Sequence, residues 1–106
     1  MGLAEGTFRV TDGFPKREIY GLSAQMRRAA VSVPSNIAEG FGRETHAHIV
    51  NFLRIAQGSL KELETQAVLC QRLGIGNPDE LARLITDCDE VGRILYGLIR
   101  SKTPAP

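Results

Sequence analysis

From Leu81 to Leu98 the residues Leu81, Leu84, Cys88, Val91, Leu95 and Leu98 recur at alternating intervals of three and four. That spacing follows one face of an α-helix and makes the seam through which a bundle helix meets its neighbours. A half-buried strand needs a period of two, so the segment has no β reading. Ile85, Gly92 and Ile99 widen the stripe. The preceding segment repeats the pattern with Ile49, Phe52, Ala56, Leu60, Leu63, Ala67, Cys70 and Gly74, and an earlier one with Ile19, Leu22, Met26, Ala29, Val33 and Ile37.

Clusters of breakers separate these segments at Asp12-Gly13-Phe14-Pro15, Gly40-Phe41-Gly42 and Gly74-Ile75-Gly76-Asn77-Pro78. Three breaks leave four helices. At the last, Gly74 suits a left-handed C-cap, Asn77 an N-cap, Pro78 the first helical position and Glu80 the far half of a capping box. Thr45 is the expected N-cap of the third helix, which at 1.5 Å per residue runs about 43 Å. Pro34 removes an amide donor inside the second helix, so a kink or short break is expected near residues 31 to 33. The first segment, from Leu3 to about Thr11, has only Leu3, Phe8 and Val10 as large apolar groups and is the weak element. The fold expected is all-α, an antiparallel up-down-up-down four-helix bundle with a short first helix, as one domain over residues 1–100 with a disordered tail at 101–106.

A chain of 106 residues with 42% hydrophobic residues has room for one core. Thirteen Lys plus Arg face twelve Asp plus Glu, and the charges are spread evenly from end to end, so no strong global field draws in nucleic acid or a membrane. Cys70 and Cys88 are too few for a disulfide scaffold, and no apolar run reaches the roughly 20 residues of a membrane span or serves as a signal-peptide core. Gly6 stands where a myristoylation motif needs Ser or Thr. A reduced, cytoplasmic protein is expected.

No catalytic constellation emerges. His46 and His48 are two apart, so on a helix they point to nearly opposite sides and make no metal pair. Gly40-Phe41-Gly42 lacks both the third glycine, where Thr45 stands, and a preceding strand, which leaves it as a helix stop with Phe41 as an apolar plug. Cys70 and Cys88 fall on the seams and read as buried thiols without a general base. Asn36, beside Pro34, has an amide able to satisfy backbone groups freed at the break. Arg27 and Arg28, with Lys16 and Arg17 upstream, are candidates for phosphate contacts, because guanidinium groups bind phosphate bidentately. They read equally as partners of carboxylates such as Glu39, Glu62 and Glu64. Tyr20, Phe41 and Phe52 are dispersed, unlike a stacking platform.

The stretch from Phe14 to Leu22, the run Gln25-Met26-Arg27-Arg28-Ala29-Ala30-Val31-Ser32-Val33-Pro34-Ser35-Asn36-Ile37-Ala38-Glu39-Gly40, and Gly58-Ser59-Leu60 with Glu62-Leu63-Glu64 closely resemble a bacterial family. It is the family of four-helix-bundle proteins encoded in intervening sequences of large-subunit ribosomal RNA genes. The resemblance spans about Phe14 to Ile99. It extends to the accessory proteins of diversity-generating retroelements, which are strongly basic pentameric barrels that bind nucleic acid and a reverse transcriptase. The family's first helix usually starts earlier with a Trp, so the resemblance implies a truncated first helix here, or a start assigned too late. Family members often carry Glu three residues after the third helix's cap, where this chain has His48.

The resemblance implies a homopentamer. The broad stripe of the fourth helix makes Leu81, Leu84, Ile85, Val91, Ile94, Leu95 and Leu98 candidates for the subunit interface, and the missing half of the first helix is expected to weaken such a ring or to leave an apolar groove. Two functional readings follow, neither enzymatic and neither needing a cofactor, metal or small-molecule substrate. One is a self-assembling scaffold for RNA, DNA or a nucleoprotein partner, carried by Lys16, Arg17, Arg27, Arg28, Arg43 and Arg54, which must then gather on one face. The other is a protein-only oligomeric module whose arginines pair internally with Glu39, Glu62 and Glu64.

Overall fold

The computed structural model describes residues 2–15 and 20–103, with Tyr20 described for its backbone alone. Four helices follow one another: α1 (Gly2–Asp12), α2 (Tyr20–Phe41), α3 (His46–Leu73) and α4 (Pro78–Lys102). Each packs on its sequence neighbours, and α1 closes the circuit against α4. Met26 faces Cys70, Ser32 faces Ser59 and Gly40 abuts Ile49 and Phe52, so α2 and α3 run antiparallel. The bundle is 47 Å long and about 20 Å across.

Local chemistry accounts for the ends. The Thr45 hydroxyl accepts from the His48 amide, and Asn77 Oδ1 accepts from the amides of Asp79 and Glu80. Glu80 does not complete the expected capping box, because its Oε2 is buried without a hydrogen-bond partner. Gly74, at φ 69°, ends α3 in a Schellman turn: Ile75 N–H donates to the Cys70 carbonyl and Gly74 N–H to that of Gln71. Gly76, at φ 83°, lets Phe14 cover this end of the core, since a Cβ there would lie 2.6 Å from the Phe14 ring. Phe14, not Phe41, is therefore the apolar plug; Phe41 is half exposed.

The core of α3 is Ile49, Leu53, Ala56, Leu60, Leu63, Ala67 and Cys70, a strict alternation of four and three. Leu53 takes the place expected for Phe52, which is only partly buried. In α1 the buried face includes Thr7 and Thr11 beside Leu3 and Val10, while Phe8 points outward. The two hydroxyls lose no hydrogen bonding, because Thr7 Oγ1 donates to the Leu3 carbonyl and Thr11 Oγ1 to that of Thr7.

Several expectations are corrected. α2 continues through Pro34 as one helix without a break. Asn36 does not serve a carbonyl freed by Pro34; its Nδ2 donates to the carbonyl and hydroxyl of Ser32, and Ser32 shares a 2.8 Å hydrogen bond with Ser59 of α3. α4 includes Ser101 and Lys102, so the helical domain passes residue 100; the rest of the expected tail, residues 104–106, lies outside the described residues.

With only 11 residues, α1 spans about 16 Å beside a 28-residue α3. One half of the molecule is a four-helix bundle and the other a three-helix one. The three-helix half keeps a closed core, with Leu53, Ala56, Leu95 and Ile99 all buried there.

Candidate nucleic-acid interface

The described sequence candidates separate into two pairs. Arg27 and Arg28 lie near the middle of α2. Arg43 follows that helix and sits over the Phe52 ring at 4.9 Å, near the start of α3, which also carries Arg54. Sixteen residues of chain, about 24 Å if helical throughout, separate Arg27 from Arg43. The six candidates therefore do not form one cluster; Lys16 and Arg17 lie outside the described residues.

Their electrostatic states differ. Arg27 is tied down on α1: Nε donates to Thr11 Oγ1 at 2.8 Å, Nη2 to Asp12 Oδ1 at 2.7 Å, and the guanidinium lies 4.8 Å from the Phe8 ring centre. It holds the short first helix against the second. Arg27→Ala is expected to cost about 1 to 2 kcal/mol, read as a lower urea midpoint. A midpoint unchanged from wild type would remove this role. Arg43 bonds Glu39 at 2.6 Å. Arg28 and Arg54 are exposed and form no ion pair with any described residue.

Among the described residues, the internal pairing of the alternative reading is realised only for Arg43 with Glu39. Glu62 accepts from Gln66, and Glu64 lies 3.6 Å from Lys61. His46 and His48 are both exposed in the first turn of α3, and among the described residues no three His, Cys, Asp or Glu gather in a metal-binding group.

Topology builds a cationic end that the sequence conceals. The end of α2, the start of α3 and the end of α4 lie at one pole of the bundle, which therefore carries Arg43, Arg54, Arg100 and Lys102 together with Glu39 and Glu44, and His46 and His48 in the first turn of α3. α4 is polarised: Asp79, Glu80, Asp87, Asp89 and Glu90 occupy its first half with Arg83, while Arg93, Arg100 and Lys102 follow with no carboxylate. This order also complements the helix macrodipole.

Tyr96, absent from the sequence candidates, lies next to this pole. It is 58% exposed, the Arg100 guanidinium lies 5.7 Å from its ring centre, and it lines a groove between α3 and α4 with Gln57, Lys61 and Arg93. Arg100 was an unmarked member of a near-neutral chain until the antiparallel return of α4 brought it level with the start of α3.

The interface candidates on α4 also divide. Leu81, Leu84 and Leu95 are buried in the protomer's own core and are corrected from interface to core; Ile85, Val91 and Leu98 are partly buried against it. Ile94 is the exposed one, at 62%.

The thiols are inert groups of the core. Burial pushes Cys88 up to about 12, with the Glu64 and Asp87 carboxylates adding to the shift, and burial raises Cys70, whose Sγ donates to Met26 Sδ at 3.9 Å.

The profile of the family described as 23S rRNA-intervening sequence protein matches residues 1–97, nearly the whole helical unit. The chain belongs to that family. No curated protein matches the sequence. Membership as a 23S rRNA-intervening sequence protein covers α1 to α3 and most of α4, including every described residue of the cationic pole except Arg100 and Lys102. No helix among the described residues is long and apolar enough to cross a membrane.

Proposed function

We propose that this protein is a non-enzymatic, self-assembling helical scaffold that binds nucleic acid, alone or within a nucleoprotein, through the pole built by Arg43, Arg54, Arg100 and Lys102. The observation that carries this reading is the local excess of charge there: among the described residues, four cations share that end of the bundle with two carboxylates, in a chain whose total charge is only +1. Arg54 and Arg100 form no ion pair with a described residue, so neither loses a carboxylate partner on meeting phosphate. The resemblance described above supports assembly as a homopentamer, which would multiply the pole fivefold.

The test is RNA affinity against salt, with assembly mass measured by light scattering. Four phosphate contacts per protomer on a single strand would lower affinity roughly 50-fold between about 50 and 200 mM salt, and Arg54→Ala with Arg100→Ala should halve that dependence. Absence of RNA binding at low salt, with an intact assembly, would favour the protein-only module. That second reading draws on Arg27 and Arg43 being neutralised by Asp12 and Glu39.

A further inference from the structure

The groove between α3 and α4 has a volume of about 410 Å³. Leu60 and Gly92 form its floor, where the missing side chain of Gly92 leaves the Leu60 methyl 3.5 Å from where a Cβ would stand. Within the groove the charges are balanced: Lys61 lies 3.6 Å from Glu64, and Arg93 bonds Asp89 at 2.6 Å. At the mouth they are not, because the helices continue to Arg54 and Arg100. Between the balanced interior and the cationic mouth stands the exposed ring of Tyr96.

From this juxtaposition we infer that the groove takes an unpaired base of a single-stranded nucleic acid, stacked on Tyr96, with the flanking phosphates on Arg54 and Arg100. The inference rests on the nucleic-acid reading above and names its substrate class. Sequence-tolerant single-strand sites combine exposed rings with cations, since every base has a π-face and every nucleotide a phosphate, and here one ring provides for one base. Gln57, Asp89 and Glu64 present amide and carboxylate groups to the edge of the base. A duplex keeps its base faces stacked and cannot offer one. The centre of a protein interface is depleted in charge, whereas this groove is lined by four charged side chains around one ring, which favours a nucleotide over a protein partner. Arg100 lies near the outer limit of a cation–π contact, so its guanidinium gives up little in turning to a phosphate.

The experiment compares a labelled short oligoadenylate with a duplex RNA of equal length by fluorescence anisotropy, using wild type, Tyr96→Ala, Tyr96→Phe and Arg54→Ala with Arg100→Ala. Circular dichroism and light scattering on each variant confirm helix content and mass. The expected result is tighter binding of the single strand by wild type, a loss of roughly tenfold in Tyr96→Ala for the single strand alone, and retention within about twofold in Tyr96→Phe. If wild type binds both RNAs with the expected salt dependence and Tyr96→Ala binds the single strand as well as wild type, the stacking site is overturned while the cationic pole stands. If neither RNA binds, the nucleic-acid reading fails and the site with it. A Tyr96→Ala variant with altered assembly mass and unchanged RNA affinity would assign the ring to a protein interface and also overturn the proposal.

Discussion

Leu95→Ala is expected to lower the free energy of unfolding by about 3 kcal/mol, whereas Ile94→Ala, one residue away, should change it by less than about 0.5 kcal/mol in the isolated protomer. Leu95 is fully buried and Ile94 is 62% exposed. Truncating Leu95 removes apolar surface from a closed core and leaves a cavity that three long helices cannot collapse around without sliding past one another. For a chain of 106 residues the loss corresponds to a fall in Tm of about 12 °C. Thermal melts of the two variants check it. A similar loss in Ile94→Ala, accompanied by a fall in assembly mass, would show that Ile94 is covered by a second copy.

The second large effect is alkaline destabilisation. Cys88 is fully buried in the protomer, and its thiol is raised from near 9 to about 12 by burial and by the Glu64 and Asp87 carboxylates. The folded state thus holds the proton more tightly than the unfolded chain does. The resulting stability is complete below about pH 9 and is lost as pH rises towards 12, with about 2 kcal/mol gone between pH 9 and 11. Cys70, also raised by burial, acts in the same direction. Urea unfolding from pH 8 to about 11 should show this slope in wild type and a much shallower one in Cys88→Ala, which keeps a small apolar group in the seam. Equal slopes in the two proteins would mean that the thiol is not sealed from water.

Much of the fold was legible because helix ends and seams are local. Gly74 and Pro78 act through their own backbone and Asn77 through a side chain that reaches only two and three residues ahead, and all three occupy the places expected of them. Errors arose where a choice depended on a neighbouring helix. Phe52 and Leu53 fit the heptad spacing of α3 equally well until the packing against α2 and α4 selects Leu53. Thr7 and Thr11 are polar by composition, yet a helix lets each hydroxyl donate to a carbonyl four residues back and thereby enter the core. Leu81, Leu84 and Leu95 belong to a stripe broad enough to read as a subunit interface, and only the packed helices show all three buried in the protomer's own core.

The candidate site was less legible. Arg27 stands out in the sequence beside Arg28, but Asp12, Thr11 and Phe8 claim it for the α1–α2 contact. Arg54 and Arg100 are 46 positions apart, and only the antiparallel pairing of α3 with α4 places them at the same pole. Tyr96 carried a usable signal: a lone aromatic four residues before an arginine on one helix face. Its setting beside Gln57 and Lys61 needed the fold.

The most direct measurement is an NMR titration of the labelled protein with single-stranded RNA, following backbone amides along all four helices. The shifts expected are confined to the pole and the α3–α4 groove, at Arg43, Arg54, Tyr96, Arg100 and Lys102, with the acidic start of α4 from Asp79 to Asp87 unmoved. Shifts centred on Arg27 and Arg28, or none at any RNA concentration, would contradict the account.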